Sequence, residues 1–481
     1  MIKILNLLTV AFFLLICNDA LSQKNKAAAK KIDSLFASYN SKTPGVAVAV
    51  LKDGKIIFKK GYGMANLDHN IPVTPKTVFN IASVSKQFTA FAIYLLKEEG
   101  KISLEDRVKK YMPELPAHAD SIKIKHLLAH TSGLRDQWAL LSLAGWQMED
   151  VITTPQILTL LARQQNLNFK PGTSFNYCNT GYTLLAEIVQ QVTGKTFAVY
   201  AKEKIFQPLG MNSTQVLDNH ETIVSNQAVS YEKRNDTYFH KPLNVSNAGP
   251  SNVLTTVEDL SKWVLNLENP VVGNRELIKE FNEPSYLDNG KKVVLRIIDG
   301  DSIFHAKGQN LSDYKGIRMI SHGGHTAGFR TFLGRYPDQQ FAIISLSNDE
   351  HNERLGGRWQ IADFYLQDQL KDEPARPVTA NNNNPAGSIN YHTNIHEFTG
   401  EYNSDEIATS YTITVQNNKL IMGHIRLGDV ELKRIGENKF NGSGPHTFWF
   451  DIAFVKNDAG LVTGCSISNF GVKNLSLVKI K

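Results

Sequence analysis

At 481 residues, 42 % hydrophobic and 20 % charged, the chain has ample material for a sizeable core, which excludes disorder over most of its length. Its 52 Lys and Arg against 46 Asp and Glu leave a net charge of only +6. No long run of like charge occurs, so nucleic acid is not an expected partner.

The first segment reads as a secretory signal peptide. Lys3 precedes a mostly apolar run from Ile4 to Ile16 that is too short to span a bilayer, and Ala20 and Ser22 stand at the −3 and −1 positions of a cleavage site. Cleavage after residue 22 leaves an exported chain, periplasmic or extracellular, that begins at Gln23 with no stable membrane anchor expected. Bulky Ile16 before Cys17 argues against a lipid anchor there. Cys178 and Cys465 are then too few for a disulfide framework, and they fall in different candidate domains, so a bridge between them is not expected.

A first helix is predicted around Ala27 to Tyr39. Val46 to Leu51 and Ile56 to Phe58, separated by Asp53-Gly54, predict a hairpin. From about residue 84 the period changes: Phe88, Phe91, Ala92, Leu95 and Leu96 mark an amphipathic helix that Gly100 stops. Helical patterns continue to about residue 265, including Leu184, Leu185, Ile188, Val189 and Val192 ahead of Gly194. Strand signals return in Ile317 to Ile320, Phe329 to Tyr336 and Phe341 to Leu346, and a closing helix follows from Arg354 to Leu370. This order predicts an α/β fold: one antiparallel sheet built from both ends of residues 23–373, flanked by helices, with a helical region and a cleft between. Residues 374–388, with Pro374, Pro377, Pro385 and the run Asn381 to Asn384, read as a linker. Beyond it, alternation such as Tyr411, Ile413 and Val415 predicts a small β-barrel domain over 389–481.

Ser-x-x-Lys occurs at Ser83/Lys86, Ser230/Lys233, Ser312/Lys315 and Ser476/Lys479. Only Ser83 opens an amphipathic helix, which puts Lys86 one turn later on the same face. A serine hydroxyl is a poor nucleophile until a base takes its proton, and lysine can do so only if burial or neighbouring charge lowers its pKa. Tyr177-Cys178-Asn179 sits between the turn Lys170-Pro171-Gly172 and a helix start, so Tyr177 and Asn179 can face one cleft as proton shuttle and amide anchor. His322-Gly323-Gly324 ends a predicted strand, where paired glycines let a substrate approach the backbone.

In this order the pieces resemble the active-site-serine family of penicillin-binding proteins and β-lactamases, in the branch of class C β-lactamases, D-Ala-D-Ala carboxypeptidases, D-aminopeptidases and related esterases. The resemblance spans roughly residues 30 to 370. It includes His126-Leu127-Leu128-Ala129-His130-Thr131-Ser132-Gly133-Leu134, Pro208-Leu209-Gly210-Met211 and Thr255-Thr256-Val257-Glu258-Asp259-Leu260. It implies a small-molecule or peptide substrate and an acyl-enzyme on Ser83, with Lys86 and Tyr177 as base and acid. It further implies Asn179 as anchor for Lys86 and the substrate amide, and an oxyanion hole from the N–H groups of Ser83 and His325. The C-terminal domain resembles the lipocalin-like barrels appended to some members. Cys178 replaces the family's usual serine, which implies a lost side-chain contact in the cleft. His322-Gly323-Gly324 replaces the Lys-Thr-Gly of the β-lactamases. That points to a peptidase or esterase, and it leads to the expectation that a charged His322 pairs with a substrate carboxylate below its pKa.

Metal catalysis is disfavoured: His126 and His130 have i, i+4 spacing and His322 and His325 lie three apart, but no Glu follows His126 as a zinc motif requires. No cofactor is expected. A competing reading is a sensor that acylates at Ser83 and never turns over. The stretch Trp138 to Trp146 reads as core packing, with a lid over the substrate as its alternative.

Overall fold

Val46–Lys52 is buried along almost its whole length, as expected of a strand inside a sheet that is covered on both faces. It pairs antiparallel with Lys55–Tyr62 on one side and Phe341–Ser347 on the other, which brings early and late parts of the chain before the expected linker together in one sheet. The computed structural model describes residues 23, 25–147, 149–298, 301–351, 357–371, 394–444 and 447–481. The expected signal peptide (1–22) and linker (374–388) lie outside the described residues.

The sheet has eight strands in the order Val294–Ile298, Asp301–Ala306, Gln309–Tyr314, Ile317–Thr326, Phe329–Tyr336, Phe341–Ser347, Val46–Lys52 and Lys55–Tyr62. Period-2 alternation sorts its faces. Val46, Val48 and Val50 pack with Ala28, Ile32 and Ile361, beneath residues 25–35 and the helix Gly357–Leu366. Ala47, Ala49 and Leu51 point the other way, into the large core of the helical region. There Trp263 of the helix Val257–Glu268 meets Phe88 and Phe91 of the helix Lys86–Glu98, with ring centroids 4.7 and 4.9 Å apart. The first three strands in the sheet order were not among the predicted elements. Their burial is largely intermediate to exposed; the second and third are mixed polar, while Val294–Ile298 is a mostly apolar run with no alternation, so none of the three carries a clean period.

The C-terminal strands, from Gly400–Ser404 to Leu475–Lys479, form a closed eight-stranded antiparallel barrel, with first and last paired. Aromatic rings fill it: Phe398 lies 4.4 Å from Phe454 and 5.3 Å from Phe440. The barrel does not stand apart as the linker composition implied. Its core and that of the helical region form one contiguous apolar cluster. The stretch around Trp138 folds as the buried helix Gln137–Leu143, and the Tyr411 hydroxyl of the barrel donates to the Leu143 carbonyl, so core packing rather than a lid describes it. Cys178 and Cys465 are both free and buried.

Candidate active site

Ser83 lies in a 3-10 turn, Ala82–Ser85, that runs directly into the helix Lys86–Glu98. Ala82 has φ +47°, a left-handed conformation that costs a non-glycine residue of order 1–3 kcal/mol. Its N–H donates to Asn80 Oδ1 at 2.8 Å, and Thr331 Oγ1 donates to the Ile81 carbonyl at 2.9 Å. The strand Ile317–Thr326 presses on this turn through Gly324. A Cβ there would fall 2.2 Å from Thr331 Oγ1 and 2.4 Å from the Ile81 carbonyl, so only glycine fits. A Cβ on Gly323 would meet the Thr331 carbonyl at an ordinary 3.8 Å, and Gly323 lines the cleft.

Lys86 is wholly buried, and its Nζ has three partners: Asn179 Oδ1 at 2.8 Å, the Pro250 carbonyl at 2.8 Å and Ser83 Oγ at 3.2 Å. Two of these are oxygens that can only accept. A neutral amine spends its two N–H groups on them, and its lone pair then faces the Ser83 hydroxyl. Burial lowers the Lys86 pKa to about 7, against the opposing charge of Asp136, so much of it is neutral at neutral pH.

Tyr177 is half-buried, with its ring 4.9 Å from Lys86 Nζ. Desolvation raises its phenol well above the ordinary value despite a hydrogen bond with Ser83, so Tyr177 is a proton donor at neutral pH and not a phenolate base. His130 of the His-Thr-Ser-Gly segment holds the Tyr177 loop: its ring packs 4.3 Å from that of Tyr177 and its Nδ1 accepts the Cys178 N–H at 3.0 Å. Cys178 does not face the cleft. Its Sγ donates to the Leu134 carbonyl at 3.3 Å, and burial pushes the thiol up to about 12, so no cleft contact is lost by its replacing serine.

His322 differs from the sequence expectation. It is buried, and desolvation, with Lys86 nearby, lowers its pKa to about 4, so it is neutral where an imidazolium was expected to meet a carboxylate. Its Nδ1 lies 2.5 Å from the Gly323 carbonyl, which can only accept, so Nδ1 carries the proton and Nε2 is left as an acceptor. His325 has an exposed side chain on the same strand. The cleft, about 500 Å³, is lined by Phe175, Tyr177, Leu295, His322, His325 and, from the barrel, Phe470.

The structure thus brings Ser83, Lys86, Tyr177, Asn179, His322, Gly323, Gly324 and His325 to one place. The other serines lie elsewhere: Ser230 Oγ accepts the Gly328 N–H at 2.7 Å, Ser312 is in a sheet strand and Ser476 is in the barrel. His126 turns to Asp288 at 3.3 Å, away from His130's partner Cys178. Among the described residues no group of three or more His, Cys, Asp or Glu is placed to hold a metal, and no helix is long and apolar enough to cross a membrane. Sequence reasoning missed Asp136, the Pro250 carbonyl and Phe470. Asp136 directly follows the His-Thr-Ser-Gly segment, and an acid beside a buried motif was the signal available. Phe470 lies in an Asn-Phe-Gly turn far along the chain and carried none.

The family model described as Beta-lactamase matches residues 31–366. The chain belongs to the beta-lactamase family. It is 30 % identical over 310 residues to a D-aminopeptidase of Brucella anthropi, covering 64 % of this chain and 57 % of that relative's length. It is 29 % identical over 430 residues to a penicillin-binding protein of Bacillus subtilis (strain 168), covering 85 % and 91 %. Among solved structures, a penicillin-binding protein homologue from Pyrococcus abyssi aligns with a TM-score of 0.60 at 20 % identity, over 94 % of this chain and 99 % of that one. A D-amino acid amidase from Ochrobactrum anthropi SV3 aligns with a TM-score of 0.58 at 22 % identity, over 71 % and 98 %. The fold is therefore that of the penicillin-binding-protein-like enzymes, joined to a closed barrel.

Proposed function

We propose that the protein is an exported serine hydrolase that forms an acyl-enzyme on Ser83 and cleaves amide bonds of small D-amino-acid peptides or amides. The observation that carries this reading is the three-way setting of Lys86 Nζ, two carbonyl oxygens and one serine hydroxyl. Lys86 takes the Ser83 proton as Oγ bonds to the substrate carbonyl carbon. Tyr177 then gives its proton to the leaving nitrogen as the C–N bond breaks, and the Lys86 ammonium returns a proton to the phenolate. Water attacks the acyl-Ser83 ester in the second half, and its proton follows the same groups in reverse. The N–H groups of Ser83 and His325 are the proposed oxyanion donors.

The relatives named D-aminopeptidase and D-amino acid amidase support the amide and the D configuration. Phe175, Leu295 and Phe470 support an apolar side chain on the substrate. The apolar run behind Lys3 supports export. The test is hydrolysis of a panel of D- and L-amino-acid amides, short peptides and esters by wild type and Ser83→Ala. Turnover of D-amides that Ser83→Ala lacks supports the reading. A stoichiometric Ser83 adduct that persists for hours without product release replaces it with the sensor.

A further inference from the structure

Asp136 and the barrel meet at the centre of the lysine's support. The Asp136 carboxylate accepts four N–H groups: Oδ1 takes those of Trp138 and Ala139 at 2.9 and 3.2 Å, and Oδ2 takes the Asn179 main-chain N–H at 2.6 Å and its side-chain amide at 2.8 Å. Burial raises the Asp136 pKa from its ordinary value, but every partner is a donor, so a protonated carboxyl would have no acceptor for its hydrogen, and the group stays an anion at neutral pH. Because the NH₂ of Asn179 must face Asp136, its carbonyl must face Lys86 Nζ. Asp136 thereby sets which way the Asn179 amide points.

The barrel holds Asp136 in turn. The Asp136 main-chain N–H donates to the Gly471 carbonyl at 2.9 Å, and Asn168 Nδ2 donates to the same oxygen at 3.0 Å. The turn carrying Gly471 is itself tied, with Asn469 Oδ1 accepting the N–H groups of Gly471 and Val472 at 2.9 and 2.8 Å. A Cβ on Gly471 would sit 2.7 Å from Asp136 Cβ and 2.9 Å from Ala139 Cβ. One residue earlier, Arg135 donates to Glu406 and to the carbonyls of Lys473 and Asn474.

We propose that Asp136 is a positioning residue for Lys86, acting through Asn179, and that the C-terminal barrel is a working part of this relay because its Gly471 turn fixes Asp136. The proposal rests on the reading of Ser83 and Lys86 as nucleophile and base. It extends that reading to two parts of the molecule outside the motif set: an acid in the helical region and a turn some 335 residues later in the chain.

The other titratable groups facing Lys86 are accounted for. The rings of Tyr177 and Tyr182 flank its Nζ at 4.9 and 5.5 Å, and both phenols are raised by burial. His130, His305 and His322 are all lowered by burial, and the Cys178 thiol is raised. These groups are neutral between about pH 7 and 9. Arg135 is turned to Glu406. Asp136 is therefore the ion that acts on Lys86 from within the site, and removing its charge must favour the neutral amine.

The test is the second-order rate of labelling by a fluorophosphonate, measured from pH 5 to 9 on the full chain. Wild type should gain rate with a midpoint near pH 7. Asp136→Asn should lower the plateau at least tenfold and move the midpoint to lower pH, by on the order of one unit. Loosened packing alone would hydrate Lys86 and move the midpoint the other way. Gly471→Ala, which touches no substrate and keeps the carboxylate, forces a Cβ against Asp136 and Ala139; it should lower the plateau several-fold at a temperature where circular dichroism shows the variant fully folded. An unmoved midpoint in Asp136→Asn, or wild-type labelling by Gly471→Ala, overturns the proposal. Should Asp136→Asn not fold, Gly471→Ala decides alone. Ser83→Ala, run alongside, separates the two readings: if it still labels, the assignment of the nucleophile has failed and not merely the relay.

Discussion

Arg135 and Glu406, 271 residues apart in the chain, form an ion pair at 2.5 Å in which both side chains are almost fully buried. Arg135 precedes Asp136 at the start of the helix Gln137–Leu143, and Glu406 belongs to the barrel. Glu406 Oε2 also accepts the Gln165 N–H at 2.9 Å, and its carbonyl accepts from Gln164 Nε2 at 3.0 Å. One buried acid thus ties the barrel to two segments of the helical region.

Breaking such a pair leaves the partner charge buried and uncompensated. Arg135→Ala and Glu406→Ala should each cost about 3–5 kcal/mol of stability, whereas the double replacement Arg135→Met with Glu406→Leu should cost less than the sum. Urea unfolding of the four proteins checks this. Single losses under about 1 kcal/mol would mean the pair is hydrated and weak. By the same reasoning a chain ending at residue 373 should fail to fold or label, because it exposes the face of Ala139, Leu140 and Leu143 that joins the barrel's core.

The nucleophile assignment makes a sharper demand. Ser83→Ala should abolish covalent labelling, and Lys86→Ala or Tyr177→Phe should slow it by roughly a hundredfold or more. Ser230→Ala, Ser312→Ala and Ser476→Ala should label like wild type, although Ser230→Ala loses the acceptor for the Gly328 N–H and should be less stable. Labelling of Ser83→Ala at the wild-type rate would move the chemistry to another residue.

How much of this was legible in the sequence depended on whether the signal was local. The hairpin around Asp53 and Gly54, both at positive φ, was readable because that turn imposes its own residue types. Ser83 and Lys86 were readable because one helical turn fixes their separation. The strands Asp301–Ala306 and Gln309–Tyr314 were not, since they lie toward the end of the sheet with mixed exposure and their polar residues mask the period. The barrel's strands were readable, but its attachment was not. Glu406 and Gly471 take their importance from Arg135 and Asp136, and a pairing across some 270 to 335 residues leaves no pattern in a single sequence. His322 misled for a related reason: its ordinary pKa near 6.5 is a property of exposed histidine, and burial beside Lys86 removes it.

The buried histidines set an acid limit on stability. In the unfolded chain each binds a proton below about pH 6.5, whereas in the folded protein His322 resists until about 4 and His305 until about 3, with His130 also lowered. Between those values the unfolded state holds more protons. Stability is therefore fully present above pH 6.5 and falls as pH drops, by at most about 1.4 kcal/mol per pH unit for each histidine. Urea midpoints at pH 7.5, 6 and 5 should decline in that order, and His305→Gln should decline less steeply. Parallel declines would show that His305 is not one of the groups responsible.

Substrate charge provides the last test, and it reverses the expectation drawn from the sequence. An imidazolium at His322 would favour a substrate carboxylate at low pH and lose it as pH rises through 6.5. In the fold His322 is neutral throughout that range, and its Nδ1 proton is committed to the Gly323 carbonyl. Nε2 therefore offers a lone pair, which suits an N–H or ammonium donor and repels a carboxylate. The ratio of kcat/KM for a carboxylate-bearing D-peptide to that for its uncharged amide should consequently be low and constant from pH 5.5 to 8. His322→Lys supplies the charge that this position lacks, and it should raise the ratio roughly tenfold or more, the worth of one charged hydrogen bond. His322→Asn, which can still accept, should retain the amide activity better than His322→Lys. A ratio that falls steadily between pH 5.5 and 8 in wild type, and flattens in His322→Lys, would show that His322 is charged in the working enzyme and that the carboxylate is what it binds.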